Sequence, residues 1–299
     1  MIDENHRRYS EAASPSSEFK GSIKRQRRVE RGVGFALLIG LSALFMIPLA
    51  ITASDSLKAF AEIYTIPRIW IPRPPRFANF LHVFSMLPFH RFIINTICIT
   101  GMALFGQVTS ACMVGYSFAR IRWPFRDFLF VVLLSTIMLP GEITMIPVFI
   151  LFNKIGWVNT WLPLIVPAYF GGGVFNIFPM RQFFKTIPVD LEDAARIDGC
   201  SSLRIFAQIM VPLAKPAIAT ICVLGFIGYW NDFQGPLIYL SDYTKYPISM
   251  GIYMFKSAEF MFANYVMAAS LIAVVPVLII FFSAQQYFVK GIVLTGIKG

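Results

Sequence analysis

Two acidic residues, Glu142 and Asp232, stand within long apolar runs of the sequence. An ionisable side chain is costly inside a membrane, so such a residue often marks a solute pathway. Around Asp232, residues 228–237 combine aromatic rings with amide and carboxylate groups. A sugar suits this mixture, because its apolar ring faces stack on aromatic rings while its hydroxyls form hydrogen bonds. The candidate substrate-path residues are Tyr229, Trp230, Asn231, Asp232, Gln234 and Glu142.

The same residues also fit a structural role. Asn231 and Asp232 can form hydrogen bonds between helices, or cap a break in the helix at Gly235-Pro236. Glu142 directly follows Pro140-Gly141, a context that favours a position facing a cavity or an outer mouth over a binding role. The sequence leaves both interpretations of Asn231 and Asp232 open.

No other pattern in the sequence indicates catalysis or metal binding. The chain contains no GxxxxGK[ST] phosphate loop, no HExxH motif and no GxSxG motif. Its three histidines are scattered, and its four cysteines form no CxxC pair. We therefore expect no metal, no cofactor and no enzymatic activity here, and any ATP hydrolysis that powers the protein must occur in a separate chain.

Residues 188–212 form a polar segment that predicts a helix, a sharp turn and a second short helix. Pro188 suits a first helical position, and Gly199 can end the first helix in a left-handed conformation. Ser201 can cap the second helix, which Pro212 is expected to close. The acidic residues that complement the positive end of the first helix dipole are Asp190, Glu192 and Asp193.

The first of these helices is predicted to have two distinct faces. Leu191, Ala194 and Ala195 share one face at i, i+3 and i+4 spacing. Glu192 and Arg196 form an i, i+4 ion pair on the other. We expect acidic and small residues to point outward.

The composition is that of a membrane protein. Of 299 residues, 57% are hydrophobic and only 14% are charged. The net charge of +10 could indicate nucleic-acid binding, but the Lys and Arg residues flank apolar runs, as they do in membrane proteins. The expected surroundings are a lipid bilayer, and no nucleic acid is expected as a partner.

The apolar runs predict an all-α protein with six transmembrane helices. The run 33–53 reaches the length of roughly 20 residues that a helix needs to cross a bilayer. It exceeds the roughly 7–15 apolar residues of a signal peptide, so we expect it to be retained. The further predicted spans are 92–116, 128–151, 160–180, 216–240 and 263–287.

Six spans place both termini on one side. With both termini in the cytoplasm, the 26 Lys and Arg residues divide into 18 inside and 8 outside, which favours this orientation. The expected regions are a loosely ordered basic cytoplasmic arm (1–31), a first span with an external loop (32–91), a core domain (92–288) containing a cytoplasmic loop at 181–215, and a cytoplasmic tail (289–299).

The 193–212 segment resembles the cytoplasmic signature loop of ABC importer permeases. The family pattern is Glu-Ala-Ala, three residues, Gly, nine residues, then Ile-x-Leu-Pro. Here Asp193-Ala194-Ala195, Gly199 and Ile209-Met210-Val211-Pro212 keep that spacing, with Asp193 in place of Glu and Val211 in place of Leu. Residues 196–201 and 230–237 are similar to the carbohydrate branch of the family, in the position of its second permease.

This resemblance implies an importer permease fold of type I with a coupling helix that docks on a separate ATPase. The residues it marks for coupling are Leu191, Glu192, Asp193, Ala194, Ala195, Arg196, Asp198, Gly199, Phe206 and Pro212. It also implies a homologous companion permease, two ATP-binding subunits, an extracellular or periplasmic sugar-binding protein and a carbohydrate substrate. The implied location is the cell (inner) membrane. The alternative is a gradient-driven secondary transporter, which usually has more embedded carboxylates or repeated halves.

Overall fold

The computed structural model describes residues 17–256 and 262–296, and within these ranges it contains helices and no strands. The helices of the first half are α1 (Ser17–Ser56), α2 (Phe60–Ile63), α3 (Ala78–Met86), α4 (Phe89–Arg120), α5 (Arg126–Ser135) and α6 (Gly141–Lys154). Those of the second half are α7 (Leu162–Ile165), α8 (Val174–Thr186), α9 (Asp190–Ile197), α10 (Ser202–Ile205), α11 (Val211–Leu213), α12 (Lys215–Trp230), α13 (Gln234–Tyr239), α14 (Ile248–Met254) and α15 (Ala263–Gly296).

The membrane-spanning helices agree with the predicted fold class. Among the residues that the structure describes, four segments are long and apolar enough to cross a bilayer: residues 29–56, α4, residues 162–186 and residues 263–283. Two further pairs of helices qualify if each bent pair is one span, which brings the number to six. The all-α membrane fold is therefore confirmed, although several spans are not single straight helices.

The two ends of the chain are more helical than expected. Residues up to Ser54 form a unit of their own, and the chain from Asp55 onward forms a second. In the first unit, α1 begins at Ser17, so the expectation of a loosely ordered arm is wrong for residues 17–31. Lys, Arg, Glu and Gln dominate this stretch, and all four favour helices. At the other end, α15 continues to Gly296 and takes in most of the expected tail, while residues 1–16 and 297–299 lie outside the described residues.

The segments of the third and fourth predicted spans contain breaks in their helices. In span three, α5 and a short 3-10 turn meet α6 at an angle of 100°, because Pro140 holds an extended conformation at the start of α6. In span four, the chain between Tyr169 and Val174 passes through three consecutive glycines with positive φ. Glycine adopts that conformation without the steric cost of a side chain. The predicted spans at 128–151 and 160–180 thus coincide with segments that are able to cross a bilayer, with breaks at Pro140 and at the three glycines.

Helix α4 is the central element of the second unit. It packs against α8 and α12, and its last turns lie beneath the 190–214 segment. The side chains buried at that junction are Ala111, Cys112, Tyr116, Met180, Phe184, Ile187, Ala195, Ile205, Met210, Ala214 and Ile221. This core fixes the polar 190–214 segment to the ends of two membrane helices.

A glycine makes the closest approach between α4 and α8 possible. A Cβ at Gly115 would lie 2.8 Å from Met180 Cβ and 3.1 Å from the backbone nitrogen of Arg181. We expect Gly115→Ala to lower the free energy of unfolding by about 1–3 kcal/mol, because neither neighbour can move independently of α8. The measurement is the thermal unfolding midpoint of the detergent-solubilised protein.

Gly101 provides a matched control on the same helix. No heavy atom lies within 4 Å of a Cβ built there. Gly101→Ala should leave stability unchanged or raise it by up to about 1 kcal/mol, because alanine favours helices. Equal midpoints for the two variants would contradict the packing argument.

Candidate functional site

The polar segment folds as the predicted helix, turn and helix. Helix α9 ends before Gly199, whose φ of +81° is left-handed. The N–H of Gly199 donates to the Arg196 carbonyl at 3.0 Å, and the N–H of Cys200 donates to the Ala195 carbonyl at 2.9 Å. These two bonds form a Schellman motif, which satisfies the last carbonyls of the helix. Ser201 accepts from the N–H of Arg204 at 3.4 Å and caps α10, as predicted.

An apolar stripe faces outward on α9. Leu191 is 45% exposed and Ile197 is 87% exposed, and Ala194 between them is also exposed. Leu203 extends the same apolar surface beyond the turn and is 71% exposed. Exposed apolar patches on polar segments commonly mark interaction sites. We call the surface formed by Leu191, Ala194, Ile197 and Leu203 the outer face of the segment.

Two residues of α9 point inward instead of outward. Glu192 is only 3% exposed and Ala195 only 7%, whereas Asp193 and Asp198 are exposed as expected. The prediction that the acidic residues all face outward is therefore wrong for Glu192. Its i, i+4 pair with Arg196 is present at 3.8 Å, but a second cation accounts for its burial.

That second cation is Arg120, at the end of α4. Its Nε lies 3.2 Å from Glu192 Oε1, and both side chains are largely buried. The guanidinium also donates to the Phe184 carbonyl, at 3.1 Å from Nε and 2.7 Å from Nη2, and to the Ile187 carbonyl. Because Nε directs its hydrogen at Phe184, its contact with Glu192 is electrostatic. One side chain thus joins the ends of α4 and α8 to α9.

No motif or spacing in the sequence marks Arg120 as a functional residue. The available signal was its position, because an arginine in the last turn of a membrane helix needs carbonyls or an acid as partners. Nothing local in the sequence connects it to Glu192.

The remaining coupling candidates lie beneath the outer face or at its edge. Phe206 begins a π-helical turn (Phe206–Met210), and its ring centroid lies 5.1 Å from that of Tyr116. It is therefore part of the inner packing. Pro212 lies within α11 and does not end the helical path, which turns instead by 75° at Ala214. The prediction that Pro212 closes the second helix is wrong, because an early position in a helical segment needs no proline N–H.

The aromatic and polar run at the end of α12 is partly structural. Trp230 is 3% exposed, stacks on Phe226 at 5.3 Å between ring centroids, and donates its indole N–H to the Ala273 carbonyl at 3.0 Å. Asp232 Oδ1 accepts from the N–H of Gly235 at 3.1 Å, which is the arrangement of a helix cap. Asn231 donates to the Ile227 carbonyl at 2.8 Å. The cap at the break before Gly235-Pro236 is thus present.

Four of the substrate-path candidates have polar groups beside a cavity or exposed to solvent. Tyr229 and Asp232 line a small cavity together with Thr96. Gln234 is exposed, and its Nε2 lies 3.7 Å from Met145 Sδ on α6. Glu142 is exposed one turn before Met145, so α6 and α13 bring Glu142 and Gln234 into the same region. The two candidate sites remain separate, at opposite ends of α12.

No metal site is evident in the described part of the chain, where no three His, Cys, Asp or Glu side chains cluster closely enough to hold an ion.

Comparison with known proteins gives the same assignment over most of the chain. The family model described as "Binding-protein-dependent transport system inner membrane component" matches residues 107–293. The arabinooligosaccharides transport system permease protein of Halalkalibacterium halodurans is 31% identical, over 89% of this chain and 95% of that protein. The sn-glycerol-3-phosphate transport system permease protein of Yersinia pestis is 27% identical, over 91% and 98%.

A solved structure is also similar. A chain of a bacterial ABC transporter involved in the import of the acidic polysaccharide alginate is 26% identical, with a TM-score of 0.75, over 88% of this chain and 98% of that chain. The matched region includes α9, the outer face and the run at the end of α12. The chain therefore belongs to the family of binding-protein-dependent transport system inner membrane components, and it is a non-enzymatic permease subunit of an ABC importer.

Proposed function

We propose that this permease carries a carbohydrate or a related polyol derivative across the inner membrane, and that the 188–212 segment couples its movement to a separate ATPase. The observation that carries the coupling role is the outer face, an exposed apolar stripe on a short polar helix. Such a stripe suits a groove on another protein, since burying it there removes apolar surface from water.

The proposed assembly contains a homologous companion permease, two ATP-binding subunits and an external binding protein. Both termini lie in the cytoplasm, supported by the excess of Lys and Arg on that side. ATP closes the ATPase dimer, α9 moves with it, and the spans open outward to accept solute from the binding protein. Hydrolysis then returns the pathway to its inward-facing state. Asp193, Ala194 and Gly199 contribute small or acidic surface at the joint, while Glu192 positions α9 from behind.

The class of solute is supported by the names of relatives. The similar proteins include transporters named for arabinooligosaccharides, sn-glycerol-3-phosphate and alginate. Their range spans neutral and anionic solutes, so a monosaccharide, an oligosaccharide, a polyol and a glycerol phosphate all fit. Tyr229, Asn231, Gln234 and Glu142 are the proposed polar contacts along the path, with Trp230 and Asp232 holding the end of α12 in place.

The test is uptake of a panel of radiolabelled sugars and polyol phosphates into vesicles that hold the complete transporter. The panel is run with and without ATP, and with and without the binding protein. We expect uptake of one compound class to require both. The panel names the substrate at the same time.

The alternative is a gradient-driven carrier. Uptake that survives ATP depletion but stops when the ion gradient is collapsed would favour it. Such a result, with every partner present and assembled, would contradict the proposed coupling role of the 188–212 segment.

A further inference from the structure

We propose that the connection between α4 and α5 together with the first turn of α5, residues 121–128, binds the phosphate of an anionic phospholipid. We call these residues the 121–128 loop. The inference goes beyond the proposed function, because it requires only that the chain lies in a bilayer. It concerns a surface separate from both the outer face and the end of α12.

The 121–128 loop surrounds an open pocket. The pocket has a volume of about 340 Å³, in the lower part of the range of about 300–1,000 Å³ that small-molecule sites occupy. Its lining consists of Arg122, Trp123, Phe125, Arg126, Asp127 and Phe128. Two arginine side chains, three aromatic rings and one carboxylate thus line one space.

The charge around the pocket is positive. Arg126 is paired with Asp127, at 3.1 Å between Nε and Oδ1. Arg122 is exposed and has no hydrogen bond or ion pair with any residue that the structure describes. Arg181 and Lys185 on α8 are close enough to interact electrostatically with this pair. Three cations therefore surround the Asp127 carboxylate, and Arg122 adds a further positive charge at the same pocket, which leaves an excess that an anion can neutralise.

Trp123 supplies an unused hydrogen-bond donor. Its indole nitrogen is buried and lacks an acceptor among the described residues. The ring is held in place by Phe118, at 5.4 Å between centroids. A buried donor without a partner is costly, so the arrangement favours an acceptor from outside the chain. A phosphate oxygen near Arg122 supplies one.

The apolar residues of the loop favour a lipid over a soluble anion. Phe125 is 77% exposed and holds a left-handed φ of +64°, which is rare for an aromatic residue. Phe128, 65% exposed, stands in the first turn of the membrane helix α5. Arginine and tryptophan beside exposed phenylalanines are typical of the membrane boundary, where basic pockets bind lipid headgroups. Acyl chains would cover the rings while the phosphate meets the cations.

The test is native mass spectrometry of the assembled transporter with dioleoyl phosphatidylglycerol or dioleoyl phosphatidylcholine. We expect phosphatidylglycerol to remain bound preferentially. Arg122→Gln should weaken its retention about fivefold, the effect of one basic residue near an anionic membrane surface. Trp123→Phe, which keeps the ring and removes the N–H, should weaken it about threefold to tenfold, the range for one hydrogen bond.

Two controls separate a specific site from general electrostatics. Lys215→Gln removes an exposed cation at the start of α12, outside the 188–212 segment, and should leave phosphatidylglycerol retention unchanged. Arg122→Lys should retain most of the binding and shows that a loss in Arg122→Gln does not arise from misfolding. Inorganic phosphate is added in a separate arm, and we expect it not to displace the lipid.

Equal retention of the two lipids, or wild-type retention in both Arg122→Gln and Trp123→Phe, would overturn the proposal. Displacement by inorganic phosphate at low concentration would also overturn it, by indicating a soluble anion site. Because the assay measures bound lipid and not uptake, its failure is distinguishable from a failure of the proposed transport function.

Discussion

Gly199→Asp is expected to uncouple ATP hydrolysis from uptake while the protein still inserts and assembles. Gly199 has a φ of +81°, and no heavy atom lies within 4 Å of a Cβ built there. The substitution therefore causes no clash. Aspartate tolerates the left-handed conformation better than most residues, so the backbone cost is at most about 1–2 kcal/mol. The main effect is a new carboxylate next to Asp198, beside an apolar surface that must lose its water on docking.

Uptake and ATPase activity, measured on the same vesicles, give the degree of coupling. A loss of about 1.4 kcal/mol in docking corresponds to a tenfold loss of affinity, so uptake should fall about tenfold or more while hydrolysis continues. Gly199→Asn is the matched control, because it has a similar shape and tolerance of positive φ but no charge. Its uptake should stay close to that of the wild type. Normal uptake by Gly199→Asp in an assembled transporter would remove the coupling role from this turn.

Arg120→Met is expected to be among the most destabilising single substitutions at this end of the bundle. It leaves Glu192 buried, with the 3.8 Å contact to Arg196 as its remaining ion pair, and removes the guanidinium donors from the Phe184 and Ile187 carbonyls. Breaking a buried ion pair by removing one partner costs about 3–5 kcal/mol. Denaturant unfolding of the solubilised protein should show a loss of that size, and limited proteolysis should cut near α9.

A double-mutant cycle identifies the partner. Arg120→Met combined with Glu192→Met should recover part of the stability, because no uncompensated charge then remains buried. Arg196→Met is the control, since its side chain is 55% exposed and an exposed pair contributes only about 0–1 kcal/mol. If the two single losses simply add in the double variant, the ion pair is not the reason that Glu192 is buried.

Local chemistry made the turn at Gly199 predictable from the sequence, and non-local chemistry made the orientation of Glu192 unpredictable. A left-handed glycine after a short helix needs only its own neighbours, and the two bonds of the Schellman motif followed as expected. Glu192 faces inward because of Arg120, which lies two membrane helices earlier in the chain. Helical periodicity allowed the Glu192 side chain to face either the protein or the solvent, so no pattern within α9 could predict its orientation.

The membrane spans show the same contrast between features that the local sequence predicts and features that it does not. Their number and approximate positions followed from the length of apolar runs, which a bilayer thickness dictates. The positions of their breaks could not be predicted from the length of the apolar runs, although Pro140 and the three consecutive glycines after Phe170 were visible in the sequence. Proline and glycine are tolerated within membrane helices when neighbouring groups satisfy the freed backbone, so their presence alone does not predict a break. Trp230, a substrate-path candidate from the sequence, is buried, and its N–H is donated to the distant Ala273 carbonyl.

The 75° bend at Ala214 gives the segment a mechanical property of its own. Ala214 is fully buried, its N–H is bonded to the carbonyls of Met210 and Val211, and no glycine lies between residues 202 and 215. We therefore expect the bend at Ala214 to be rigid, so that α10, α11 and α12 move together as one bent unit. Helix α12 has 16 residues and is about 24 Å long, so a tilt of about 10° imposed at the ATPase end would sweep Trp230 sideways by about 4 Å. In the proposed cycle, a small movement of α9 at the ATPase end thus produces a larger displacement at the Trp230 end of α12.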